Sequence, residues 1–355
     1  MKVFRKIGVL TSGGDAPGMN AAVRAVTRAA LSHGVEVMGI RRGYSGLMDG
    51  DIIPLKLRDV SNIMNKGGTM LYSDRCPEML TDEGKAKAVA TCKKLEIDGL
   101  VTIGGDGTFR GARALTEFGL PCIGIPGTID NDIPSTDNSI GYDTAMNTVI
   151  DLVDKLRDTC ESHARCNVVE VMGRGAGDIA LNTAIATGAT SVVIPEVPID
   201  AADICEKIRR SRQIGKRNFI VIVSEGVGTD YAPRLASLIQ EKTRVETKFA
   251  RLAHVVRGGN PTLRDRVLAS RMGYVAVEQL LLGKSNIVIC ERYGDIVATD
   301  IAFALTADKF NKEVIVKDEE LVGFSEAEIE DMKALIKERR DDINRLYAMA
   351  EQINL

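Results

Sequence analysis

Short runs of branched apolar residues alternate along the chain with longer stretches in which apolar positions recur every three or four residues. The runs 7–12, 36–41, 99–103 and 121–125 suit buried strands, and 19–31, 60–65, 82–95, 109–117 and 140–157 have helical patterning. Gly43-Tyr44-Ser45-Gly46 reads as a flexible loop and 67–77 as an irregular, glycine-rich one. Past 157 the pattern restarts, with strands at 167–171, 191–194 and 219–223 and helices at 177–186, 201–214 and 231–243. No stretch of disordered composition separates the two series. The final segment differs in character: Ser325 and Glu328 fit a capping box, and Ile329, Met332, Ile336, Ile343, Leu346, Ala350 and Ile353 fall on heptad a and d positions, with Arg339 interrupting. One long amphipathic helix is predicted there, packed on its own subunit or on a neighbour.

At 355 residues the chain exceeds one usual hydrophobic core, so two α/β domains are expected. A formal charge of -3 and a pI near 5.8 give no electrostatic case for nucleic acid, so any anion binding must be local. Seven cysteines without a CxxC pair suit a reducing compartment better than a disulfide framework. The basic residues of 1–6 run almost at once into Ser12-Gly13-Gly14-Asp15, which makes this a first strand and not a signal peptide. No apolar stretch approaches the roughly 18 residues of a membrane span. A soluble, cytoplasmic protein with no membrane partner is expected.

Candidate chemistry gathers where strands end. At Gly104-Gly105-Asp106-Gly107-Thr108 three glycines surround one carboxylate and one hydroxyl at a strand-to-helix turn, the place where α/β sheets bind ligands. Missing Cβ atoms admit phosphate oxygens to backbone N–H groups, the helix N-terminus adds positive potential, and Asp106 is suited to a hydrated magnesium ion. Gly13-Gly14 makes a second such turn, so a shared phosphate cradle competes with two plain connections. Arg24 and Arg28 lie four apart on one helix face, either solvated or gripping an anion. Tyr44 either stacks on a base or packs, and Arg75 is either a surface residue or a stabiliser of transferred phosphoryl charge. Thr128, Asp130 and Asp132 alternate, so an extended segment would point all three the same way, giving paired carboxylates at the sheet's edge that either cap the helix from 140 or, as Asp132's distance upstream favours, do chemistry. Met172-Gly173-Arg174, Glu225 and His254 to Gly259 follow the second series of strands. His33 reads as incidental; His163 and His254 are open to structural readings, although Arg257 and two glycines beside His254 suit an anion.

Taken together and in order over about the first 310 residues, Thr11 to Asn20, Gly104 to Thr108, Pro126-Gly127-Thr128-Ile129-Asp130-Asn131-Asp132, Val169 to Arg174 and His254 to Gly259 resemble the 6-phosphofructokinase family, in its ATP-dependent bacterial branch. The resemblance implies two Rossmann-like α/β domains with mostly parallel sheets and an active site in the cleft between them. Residues 1–141 with 256–306 would form the larger, nucleotide-binding domain, and 142–255 with 307–355 the smaller, sugar-phosphate-binding one. It implies transfer of the γ-phosphoryl group of ATP to the 1-hydroxyl of fructose 6-phosphate, the committed step of glycolysis, with Mg2+ as cofactor. Asp130 matches the general base, Thr128 and Asp132 the residues that hold the transferring group and the base, and Asp106 the carboxylate beside magnesium. Arg75 matches the arginine that stabilises the phosphoryl charge. Gly14, Tyr44, Arg75, Cys76, Gly105, Asp106, Gly107, Thr108 and Gly111 match the nucleotide site. Thr128, Ile129, Asp130, Met172, Gly173, Arg174, Glu225, His254, Val255, Val256 and Arg257 match sugar-phosphate contacts from one subunit, with Arg165 and Lys248 reaching in from a neighbour. A homo-oligomer with shared active sites, a tetramer in the family, is implied.

Pyrophosphate-using relatives carry aspartate where Gly107 stands and lysine where Gly127 stands, so both glycines imply ATP. Lys248 replaces an arginine, keeping the charge and losing the bidentate fork, which implies weaker sugar-phosphate affinity or use of another sugar phosphate such as sedoheptulose 7-phosphate. Of the family's effector site, Arg24, Arg28, Arg157 and Lys216 match. Leu57 stands at an arginine position beside Arg58, Thr190 replaces a glutamate and Ile214 a lysine, so weak or altered regulation is expected. The competing readings are a pyrophosphate-dependent or broader-specificity sugar-phosphate kinase and a non-catalytic regulatory paralogue; retention of Asp106, Arg75, Asp130 and Thr128 argues against the latter.

Overall fold

The computed structural model describes residues 4–314 and 321–353. Its strands are β1 (Lys6–Thr11), β2 (Glu36–Ile40), β3 (Ile52–Leu55), β4 (Gly99–Gly104), β5 (Cys122–Pro126), β6 (Cys166–Val171), β7 (Ser191–Val193), β8 (Phe219–Ser224), β9 (Thr247–Arg251), β10 (Ile287–Arg292) and β11 (Asp295–Asp300). The chain forms two compact units. The larger runs to Ile129 and includes Ile133–Thr144 and Arg257–Ile336; the smaller holds Asp130–Asp132, Ala145–Val256 and the chain from Lys337.

In the larger unit the sheet order is β11-β10-β5-β4-β1-β2-β3. Its central strands β5, β4, β1 and β2 are parallel, with β3 and β11 antiparallel at the edges. β4 is buried along its whole length, as expected of a strand covered on both faces. Helices α1 (Met19–Ser32), α2 (Gly43–Asp49), α3 (Asp82–Lys94) and α4 (Asp106–Glu117) connect these strands. Leu10, Ile40, Leu47, Leu100, Phe109 and Leu115 lie in the core between them.

The smaller unit has four parallel strands in the order β7-β8-β6-β9. The helix α5 (Tyr142–His163) leads into it, and α6 (Asp178–Thr187), α7 (Ala201–Gln213) and α8 (Tyr231–Thr243) follow its strands. Cys166, Val168, Ile208, Phe219, Val221 and Ile239 form its core. Helices α9 (Leu263–Leu281) and α10 (Ile301–Asn311) return to the larger unit. The terminal helix α11 (Glu326–Ile353) has the predicted capping box: Glu328 accepts from Ser325 N at 2.8 Å while Ser325 Oγ accepts from Glu328 N at 3.2 Å. Met332, Ile336, Ile343 and Ala350 of its apolar stripe are buried.

Three local expectations change. The loop expected at Gly43–Gly46 is the start of α2, which ends on Gly50 in the left-handed conformation. Residues 60–65 form turns and not a helix, with Asn62 at φ 56 breaking the ladder. The helix expected from 109 begins at Asp106, because Gly105 takes the extended N-cap position. No described helix is long and apolar enough to cross a membrane.

Candidate active site

The parallel pairing of β1, β4 and β5, in register from Thr11 with Ile103 and from Gly104 with Pro126, aligns their carboxyl ends. The glycine turns at 13–14 and 104–105 and the segment from Gly127 therefore leave one edge of the larger sheet together. Gly13 has φ 85, and a Cβ at Gly104 would overlap Thr108 Oγ1 and Ser12 O. Thr108 Oγ1 donates to Ser12 O at 3.1 Å, tying the two turns to each other. A Cβ at Gly105 or Gly107 would meet nothing within 4 Å, so the backbone there faces open space. This is the geometry of an anion cradle at the first turn of α4.

The irregular loop expected at 67–77 is laid over the end of β1. Thr11 Oγ1 donates to Tyr72 O at 2.7 Å, Gly13 N to Asp74 O at 3.3 Å, and Ser73 Oγ to Gly13 O. Arg75 next in line is exposed, and Cys76 is half-buried against the core. Arg257 lies against Gly14, where a Cβ would overlap its guanidinium, and its buried Nε has no hydrogen-bond partner. A guanidinium with an unmet donor beside the Gly13–Gly14 turn is suited to an anionic ligand.

Asp106 opens α4 with its side chain largely covered, and pairs with Arg110 Nη2 at 2.7 Å and Lys312 Nζ at 3.6 Å. Among the described residues no group of three or more metal-type side chains forms a cage. One carboxylate beside an open phosphate cradle nevertheless fits Mg2+, which is held by one or two carboxylates with substrate phosphates.

Tyr44, which the sequence leaves between stacking and packing, packs. Its ring is buried in the larger core against Gly111, where a Cβ would come within 2.5 Å, and its hydroxyl donates to Thr108 O at 2.6 Å. Burial raises its phenol well above the ordinary value. A ring held there steadies the first turn of α4 and is not presented to an incoming base. Gly127 also changes meaning: a Cβ would lie 3.1 Å from Ile103 Cγ2 and 3.2 Å from Met19 Cε, so close packing already accounts for glycine. The donor argument rests on Gly107.

The segment after β5 is not extended. Ser139 Oγ donates to Thr128 O at 2.6 Å, the chain bends at 129–130, and Asn131 is left-handed at φ 52, so the alternation expected for Thr128, Asp130 and Asp132 is broken. Asp130 and Asp132 are both buried, and Asp132 Oδ2 lies 3.7 Å from Arg174 Nη1.

In the smaller unit the carboxyl ends of the adjacent strands β8, β6 and β9 collect the other predicted residues. Met172, Gly173 and Arg174 follow β6, with Gly173 at φ 148 and Arg174 at φ 57. Glu225, just past β8, accepts from Gly173 N at 3.3 Å and Arg174 N at 2.9 Å, fixing that turn. His254, Val255 and Val256 lie in a 3-10 turn after β9, with His254 exposed. Arg165 and Lys248 are elsewhere. Arg165 precedes β6 and Lys248 pairs with Asn167 near its start, at the opposite end of a six-residue strand, roughly 20 Å away at a strand's rise. There both bind Glu246, at 2.8 and 2.9 Å, and first Arg165, then Lys248, hold its carboxyl down to about 2.

Of the effector candidates, Arg24 and Arg28 lie on α1 and Arg58 in an exposed loop of the larger unit. Arg157 and Lys216 are close in the smaller one: burial and then the Arg157 charge push the Lys216 ammonium down. Arg157 donates to Asn218 Oδ1 at 2.8 Å. Sequence reasoning missed Arg110, although its spacing of four from Asp106 marks the pair. It missed Glu246 and Lys312, each of which pairs with a near neighbour, Lys248 or Asp308, but also with a residue far away in the chain, Arg165 or Asp106, that no local pattern reports.

A family model described as phosphofructokinase matches residues 6–280. The chain is 54% identical over 298 residues to the ATP-dependent 6-phosphofructokinase of Bacillus pumilus, covering 84% of this chain and 93% of that one. It is 51% identical over 312 residues to the ATP-dependent 6-phosphofructokinase of Clostridium botulinum, covering 88% and 97%. It is similar to the solved phosphofructokinase of Saccharomyces cerevisiae, with a TM-score of 0.82 and 32% identity over 87% of this chain, and spans about half of that longer chain, 46%.

Proposed function

The chain belongs to the phosphofructokinase family, and from that premise we propose that it transfers the γ-phosphoryl group of ATP to the 1-hydroxyl of fructose 6-phosphate, giving fructose 1,6-bisphosphate and ADP. The observation that carries this reading is 54% identity to an ATP-dependent 6-phosphofructokinase over 84% of the chain. The open backbone at Gly105 and Gly107 supports it, since ATP phosphates need that space.

Gly14, Gly105, Gly107 and Thr108 hold the triphosphate, and Arg75 offsets charge on the transferring group. Mg2+, when bound beside Asp106, neutralises phosphate charge. Met172, Arg174, Glu225 and His254 seat the sugar phosphate. Asp130 takes the proton of the 1-hydroxyl, the freed oxygen bonds to the γ-phosphorus, and the bond from that phosphorus to the β–γ bridging oxygen breaks, releasing ADP. Asp132, paired with Arg174, keeps the base segment in place. Nothing in this chemistry needs a covalent nucleophile; positioning and charge suffice.

Arg165 and Lys248, at the far ends of β6 and β9 from Met172 and His254, serve the site of a neighbouring copy. That separation supports a homo-oligomer with shared active sites, a tetramer by family resemblance.

The donor assignment has a direct test. Gly107→Asp should lower kcat/KM for ATP by ~10²-fold or more, because a like charge at contact distance costs a few kcal/mol even when partly screened. Steady-state rates with ATP and with pyrophosphate check this. A wild-type preference for pyrophosphate, or an unchanged ATP rate in the variant, would overturn it.

A further inference from the structure

Arg339, the one break in the apolar stripe of α11, meets the segment that carries Asp130. Its Nη2 donates to Asn131 O at 2.5 Å and to Asp178 Oδ2 at 2.9 Å. Asn131 Nδ2 makes a long contact of 3.5 Å with the other oxygen of Asp178. The three residues close a ring around the Asn131 peptide, all within the smaller unit. The side chains of Arg339 and Asp178 are 15% and 13% exposed, so this is no solvated surface pair. Burial raises the Asp178 carboxyl and the Arg339 charge opposes that rise, as expected of a carboxylate taken from water beside a cation.

What the ring holds is a left-handed residue, a conformation that asparagine reaches at little cost but that nothing in its own backbone fixes. Asn131 is left-handed at φ 52 and stands between Asp130 and Asp132, so its torsion sets the directions in which both carboxylates leave the backbone. Asp178 is itself fixed as the first residue of α6, whose preceding turn carries Arg174, the partner of Asp132. Arg339 lies outside residues 6–280, the part that the family model matches.

We propose that Arg339 is a positioning residue for phosphoryl transfer: from the terminal helix, and together with Asp178, it clamps Asn131 and so aims the Asp130 carboxylate. It touches neither substrate and acts through Asp130, so the inference rests on the reading of Asp130 as the general base. Removing the clamp lets the base drift, which lowers the chemical step and leaves the seats of both substrates alone.

The test uses the full-length protein. Arg339→Met by itself takes an ion-pair partner from a buried carboxylate and risks misfolding, so the informative variant is R339M/D178N, in which both charges are gone. Its folded fraction is read by thermal melting. The expected result is a folded protein whose kcat falls ~10–100-fold, the cost of a base misplaced by about an ångström, with KM for ATP and fructose 6-phosphate nearly unchanged. Arg339→Lys, which keeps a cation facing Asp178, should recover part of that loss. In the Asp130→Ser background the same double substitution should leave kcat unaltered, because nothing remains to be aimed. A wild-type kcat in folded R339M/D178N, a change confined to KM, an equal loss in the Asp130→Ser background, or a loss that only tracks the unfolded fraction would each overturn the proposal. Asp130→Ser measured alone separates the two readings: a near-normal kcat there removes the base assignment itself, whatever Arg339 does.

Discussion

Replacing Asp130 with serine is expected to lower kcat by ~10²–10⁴-fold, the usual contribution of a positioned general base. Serine at this position accepts no proton from a sugar hydroxyl near neutral pH. Affinity for fructose 6-phosphate should hold, because the groups proposed to seat it, Met172, Arg174, Glu225 and His254, lie at the ends of β6, β8 and β9 and do not depend on the Asp130 carboxylate. Single-turnover rates with ATP check the first half and calorimetric titration of the sugar phosphate the second. A variant with wild-type turnover removes Asp130 from the mechanism, and one that loses sugar-phosphate binding makes it a contact and not a base.

The second large effect concerns the sharing of sites between copies. Arg165→Ala is expected to raise KM for fructose 6-phosphate by about two orders of magnitude, the worth of a charge-assisted contact to phosphate. It also takes from Glu246 the partner that holds it at 2.8 Å, leaving Lys248 at 2.9 Å. Equal amounts of Arg165→Ala and Asp130→Ser subunits, each nearly inactive alone at low sugar phosphate, should regain activity when unfolded and refolded together. If each site takes Asp130 from one copy and Arg165 from another, roughly one site in four in a random mixture has both intact. Refolded mixtures no more active than the sum of their parents would mean that Arg165 does not act across an interface.

Much of this was legible in the chain because strong local patterns survive tertiary context. The buried run at β4 and the glycines after it name a strand, a turn and a helix without outside information, and Ser325 with Glu328 announces the cap of α11. What failed did so for physical reasons. The segment from Thr128 looks extended until Asn131 is seen to be left-handed, and asparagine tolerates that conformation without advertising it. Gly43 and Gly46 suggest a loop, whereas Gly50 acts as the stop of a short helix. The hairpin of β10 and β11 turns on Tyr293 and Gly294, both at positive φ, and tyrosine hides a turn that asparagine would have signalled. Tyr44 carries an ambiguous side chain whose role depends on Gly111, 67 residues on in the chain, and no periodicity reports such a contact. The support of the proposed base was the least legible part. Arg339 shows in sequence only as a flaw in a heptad, and the flaw becomes intelligible once Asn131 and Asp178 lie beside it.

The most direct measurement is product identification with the purified protein, ATP, Mg2+ and fructose 6-phosphate, followed by phosphorus NMR in parallel with reactions in which pyrophosphate replaces ATP. Equimolar ADP and fructose 1,6-bisphosphate with ATP, and no bisphosphate with pyrophosphate, is the predicted result. Failure to form the bisphosphate from ATP by folded protein, or its formation only from pyrophosphate, would contradict an ATP-dependent 6-phosphofructokinase activity.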